Sequence, residues 1–187
     1  MRSTFRVAIA VGHSPEAPGA VNHTTALSEF RFNATLAAAI KLALLERKIC
    51  EVKIFFRLHN LLPREVKAIN QYNPSLALEL HANASSDPHA TGSECLYWFG
   101  SKKGKQIAEV FATNFATFLG LPCRGAKPRH KGERGWYFLQ KTNMPAIICE
   151  PFFISNNKDL HVAFSNFHRL VEAYIESIVA AEALFLR

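Results

Sequence analysis

The sequence predicts an α/β domain, a mostly parallel sheet flanked by helices. Two observations carry that prediction. Short apolar runs alternate along the chain with longer stretches whose apolar residues recur at helical spacing, the order expected of strands joined by crossover helices. The 187 residues are 49% hydrophobic, which suits one domain over 1–187 with a sizeable core, and nothing suggests a second module.

Taken in order, residues 5–11 (FRVAIAV) read as the first strand. Residues 27–47 read as a helix with Phe30, Leu36, Ala37, Ile40 and Leu44 near one face. Residues 52–56 form the next strand, and 64–72 a short helix started by Pro63, whose fixed φ suits a first helical turn. Residues 76–80 (LALEL) form a third strand. By alternation Leu76, Leu78 and Leu80 point to one face, while Glu79 points to the side of His81. Residues 94–99 form a fourth strand, followed by a helix over 102–119 with Ile107, Val110, Phe111, Phe115 and Phe118 at helical spacing. The basic segment 124–134 (RGAKPRHKGER) reads as a loop, either solvated or in contact with a substrate. Residues 146–149 form a further strand, and 160–186 one long amphipathic helix. There is no internal repeat.

With 22 Lys and Arg against 15 Asp and Glu, the formal charge of +7 favours polyanionic partners. Nucleic acid, anionic lipid and anionic wall polymer all fit that charge. Cys50, Cys95, Cys123 and Cys149 show no paired spacing, and reduced thiols are expected. Apolar residues after Arg2 and Arg6 suggest a leader, but 7–11 is too short for its apolar core. No apolar run approaches the ~20 residues of a membrane span. The chain is therefore expected to be made in the cytoplasm without a signal peptide.

Three strands end in residues able to do chemistry: AIAVGHS at His13, LALELHANAS at His81 and AIICEPFFISN at Glu150. In open sheets of this class ligands sit beyond the carboxyl ends of strands. Glu29 lies in the first turn of the helix after the His13 loop. Two neutral imidazoles and one carboxylate are the protein ligands of an open catalytic zinc site, and a second carboxylate beside its water serves as base. A lone histidine at a strand end is more often a cap or a satisfied core residue. Glu150 tips the balance, because a carboxylate between PAIIC and PFFI carries a large desolvation cost unless a cation or a proton relieves it.

GHS at 12–14 with Gly19 and Glu29 downstream, HANA at 81–84, the step from Gly92 to Glu94, and PAIICEPFFISN at 145–156 resemble the zinc-dependent N-acetylmuramoyl-L-alanine amidases of the amidase type 3 family. Arg64 followed by Ile69 and Asn70 fits the same pattern, and the resemblance runs in order along nearly the whole chain. It implies a sheet of about six strands, Zn2+ held by His13, Glu29 and His81, and Glu150 as acid/base. The implied reaction is hydrolysis of the amide between N-acetylmuramic acid and L-alanine in peptidoglycan; a zinc carboxypeptidase or another peptidoglycan amide hydrolase is the alternative. Arg134, His130, Asn83 and Glu94 are candidate substrate contacts, with Trp136 a candidate to meet sugar faces. Glu79 stands where the family usually has a small polar residue, either as a partner of a ligand histidine or in a salt bridge elsewhere. The expected partner is peptidoglycan, with no nucleic acid and no membrane insertion, and the chain is expected to be a monomer. A bare basic domain of this kind resembles phage endolysins, which reach the wall after holin-type release.

Overall fold

The computed structural model describes residues 5–186; Met1 to Thr4, where the stretch weighed as a leader begins, and Arg187 lie outside the described residues. Six strands, β1 (Arg6–Val11), β2 (Glu51–Phe56), β3 (Leu76–Leu80), β4 (Ser93–Trp98), β5 (Cys123–Arg129) and β6 (Ala146–Glu150), form one sheet in the order β2-β1-β3-β6-β4-β5. β2, β1, β3 and β6 are mutually parallel. β4 runs antiparallel to β6, and β5 parallel to β4. The register aligns Val11 with Leu80 and Leu80 with Cys149, so β1, β3 and β6 end side by side.

Strand alternation gives the sheet two unlike faces. On one, Val7, Ile9, Val11, Leu76, Leu78, Leu80, Ile147 and Cys149 pack into a large core under α1 (Glu29–Glu46), α3 (Lys102–Leu119) and α6 (Phe167–Phe185). Phe111, Phe115 and Tyr174 fill that core completely buried. On the other, Ala8, Ala10, Ala77, Ala146 and Ile148 meet the smaller helices α2 (Leu62–Tyr72) and α4 (Trp136–Lys141). Four of those five are alanines, and side chains of that size leave space above the sheet.

Two sequence expectations are corrected. Residues 160–186 are not one helix: α5 (Asn157–Ser165) and α6 are separated at Asn166, whose φ/ψ of −115°/31° is not helical and whose Nδ2 donates to Val162 O. An Asn side chain that bonds the preceding turn competes with the backbone ladder, a break that apolar periodicity does not reveal. The segment 124–134 is not wholly a loop, because most of it is the edge strand β5. A strand carrying Arg124, Gly125, Lys127, Pro128 and Arg129 lacks alternation, yet cations and proline are what keep an exposed edge from pairing further. The helix α4 was also unforeseen. The cysteines are free, as expected, and no helix among the described residues is long and apolar enough to cross a membrane.

Candidate metal centre and its cleft

The chain leaves β1 through Gly12, whose amide donates to Leu80 O at 2.9 Å and so continues the sheet by one residue. A Cβ on Gly12 would lie 2.5 Å from both Cε1 and Nε2 of His81, so only glycine fits between strand and ring. His13 follows at φ 69°, a left-handed backbone that turns its imidazole back over the sheet end. Gly19 (φ 78°) closes the loop, and a Cβ there would meet His13 Cδ2 at 2.5 Å and Glu29 Oε2 at 2.7 Å.

Glu29 opens α1 one residue after its N-cap, Ser28, where the helix dipole favours an anion. Two backbone amides aim its carboxylate: Ala20 N donates to Oε2 at 3.2 Å and Ala82 N to Oε1 at 3.1 Å. The imidazoles approach from opposite sides, with His13 Nε2 3.1 Å from Oε2 and His81 Nδ1 2.7 Å from Oε1. The two rings meet edge to face at 4.9 Å. One donor atom from each of His13, Glu29 and His81 lies within 4.8 Å of the others.

The charges fit a divalent cation. Burial opposes ionisation of Glu29, but hydrogen bonds and the charges of His13 and His81 outweigh it and hold the carboxyl far below its ordinary value. Burial likewise opposes charge on His81, but Glu79 and Glu29 raise it well above the usual imidazole range. The site thus draws positive charge into a buried position. Two ring nitrogens and a carboxylate are a donor set suited to zinc with one position left open.

Glu150, last residue of β6, is completely buried and lines the same cleft of about 330 Å³. Burial pushes its carboxyl up to about 7 despite the nearby charges of His81 and Arg134. Arg134 contacts Glu150 Oε1, but its own side chain is 62% exposed, and solvent weakens its hold. Oε2 of Glu150 is buried with no hydrogen-bond partner among the described residues. Arg134 reaches this position because Gly135 (φ 80°) settles onto the sheet, where a Cβ would collide with Ile148 Cδ1 at 2.4 Å.

Other sequence candidates fall elsewhere. Asn83 Nδ2 donates to Glu94 Oε1 at 2.9 Å, and Arg124 Nε donates to Glu94 Oε2 at 2.7 Å. Both oxygens of Glu94 are thereby engaged, and neither Asn83 nor Glu94 lines the cleft. His130 stacks on Phe99 at 4.4 Å, beyond the end of β4 that lies away from Glu150. Sequence reasoning missed Arg57. It follows β2 directly, pairs with Glu79, and donates from Nε to Glu65 Oε2 at 3.1 Å. A cation at yet another strand end was the available signal. Burial and the Glu79 charge push the Glu65 carboxyl up, while the charges of His81 and Arg57 hold that of Glu79 down.

Known proteins share the fold of this chain. The catalytic domain of the CD27L endolysin targeting Clostridia difficile superposes with a TM-score of 0.80 at 23% identity, covering 94% of this chain and 97% of that one. The crystal structure of the putative N-acetylmuramoyl-L-alanine amidase from Neisseria meningitidis gives 0.72 at 28% identity over 97% of this chain and 96% of that one. The N-acetylmuramoyl-L-alanine amidase LytC of Bacillus subtilis (strain 168) is 31% identical over 86 residues, which are 45% of this chain and only 16% of LytC. Residues 7–180 match the sequence model of the family described as N-acetylmuramoyl-L-alanine amidase, and with nearly the whole chain inside that match, the protein belongs to this family.

Proposed function

We propose that this protein hydrolyses the amide joining N-acetylmuramic acid to L-alanine in peptidoglycan, with a zinc ion held by His13, Glu29 and His81. The observation that carries the reading is the meeting of those three donors at one sheet end, in a cleft shared with a buried carboxylate whose pKa is raised to about 7. Zinc, when bound, supplies Lewis acidity that brings the pKa of a water from ~15.7 down to about 7 and polarises a carbonyl.

The remaining work falls to Glu150. Ionised, it takes the proton of the attacking water; protonated, it returns that proton to the amine nitrogen as the C–N bond breaks. A carboxyl of ordinary pKa is a poor donor near neutrality, and burial corrects this. Arg134, the one exposed cation lining the cleft among the described residues, is suited to a stem-peptide carboxylate. Its position also leaves open a carboxypeptidase reading.

Digestion of purified sacculi, with and without chelator, followed by mass spectrometry of the released fragments tests the proposal. Free stem peptides beginning at L-alanine, lost on chelation, are the expected products. Peptides shortened only at their carboxyl ends would favour the carboxypeptidase, and chelator-resistant release would remove the metal.

A further inference from the structure

Resting on the metal reading above, we infer that Glu79, clamped by Arg57, is the residue that positions His81, accepting from its Nε2 so that Nδ1 is the nitrogen presented to the metal.

A neutral imidazole has one protonated nitrogen and one lone pair, and the partner of the first decides where the second points. Nδ1 of His81 faces Glu29 at 2.7 Å, on the side of His13. Nε2 faces away, 3.5 Å from Oε2 of Glu79. That is a charge contact and not yet a hydrogen bond, and a small rotation of ring or carboxylate closes it. The sequence alternation that places Glu79 on the side of His81 therefore has a chemical use.

Holding that acceptor requires a device, because Glu79 is almost wholly buried. Its other oxygen, Oε1, contacts Arg57 Nη2, and the same guanidinium binds Glu65 through Nε. Arg57 stands at the end of β2, two strands from β3, and must cross β1 to reach Glu79. The β1 residue registered against Glu79 is Ala10, too small to obstruct the path. Arg57 is itself only 11% exposed and tied at both ends, so the carboxylate it grips has little freedom to turn away. A metal-bound histidine gains basicity and a fixed orientation from such an acceptor, and losing it costs typically 10–100-fold in metal affinity.

The test uses zinc alone and needs no substrate. Zinc affinity is measured by competition with a chromogenic chelator for wild type, Glu79→Gln and Arg57→Lys, beside thermal unfolding of each metal-free chain. The expected result is affinity about 10–100-fold weaker in Glu79→Gln, with a smaller loss in Arg57→Lys, which keeps the charge but not the two-ended grip. Unchanged affinity in Glu79→Gln, even with a lowered melting temperature, reduces the network to a structural salt bridge and overturns the inference. A second measurement needs no variant: the nitrogen NMR spectrum of the zinc-loaded wild type should show His81 protonated at Nε2 and coordinated at Nδ1. The reverse assignment overturns the inference while leaving zinc binding intact. A wild type that binds no zinc brings down the metal reading and this one together.

Discussion

The two faces of the sheet are made from the same strands and do opposite things. Leu76, Leu78 and Leu80 enter a core in which Phe111, Phe115, Phe152 and Tyr174 are fully buried. The residues between and beyond them, Ala77, Glu79 and His81, face the side that holds the cleft. The first face gains its stability from apolar area. The second gives up that area for buried charge, tolerable only because Glu79 and Glu65 share Arg57 and Glu29 has two imidazoles and two amides. The lesson is a division of labour at a spacing of one residue: the stable face allows the other to be costly.

The sharpest way to break the comparison is Glu150→Gln. Turnover on purified wall should fall about 10²–10⁴-fold, while stability does not fall. The Glu150 carboxyl is raised in the folded chain, so its contribution to stability is full below the ordinary carboxylate range and is lost as pH rises through about 7. Denaturant titrations at several pH values should therefore show the advantage of the Gln variant growing with pH and levelling off above 7. A variant less stable than wild type at pH 8 would mean that this carboxylate supports the fold.

On the other face, Leu78→Ala should cost about 2–5 kcal/mol in denaturant unfolding. The surviving folded fraction should keep wild-type turnover per molecule. Loss of turnover beyond the loss of folded protein would show that the faces are not separable.

The smallest effect belongs to Arg134→Ala. The rate should fall on the acid side of about 7, where Glu150 takes up its proton. Because the guanidinium holds that proton affinity down, its removal should shift the acid limb of the kcat/KM profile to higher pH. A shift to lower pH would contradict the pairing seen here.

Much of this was legible in the sequence. The strand at residues 76–80 and the helix at 102–119 were read to the residue, because a leucine alternation and a run of phenylalanines at helical spacing leave no second interpretation. His13, His81 and Glu150 stand out in the sequence as polar groups at strand ends and Glu29 as the acid in the first turn of the helix after the His13 loop, and the fold brings all four to one cleft. β5 was hidden because an edge strand is written in the same residues as a basic loop. Arg57 was hidden because its partners are set by strand order: nothing local says that β2 lies two strands from β3.

Arg134 differs from the other groups of the cleft in how it is carried. His13, His81 and Glu150 are extensions of strands locked on both sides, whereas Arg134 is carried by an exposed turn next to Gly135, which settles onto the sheet. On the proposed reading, a substitution in that turn would change both the cation offered to a bound carboxylate and the proton affinity of Glu150, while the strand-borne groups stay where the sheet holds them.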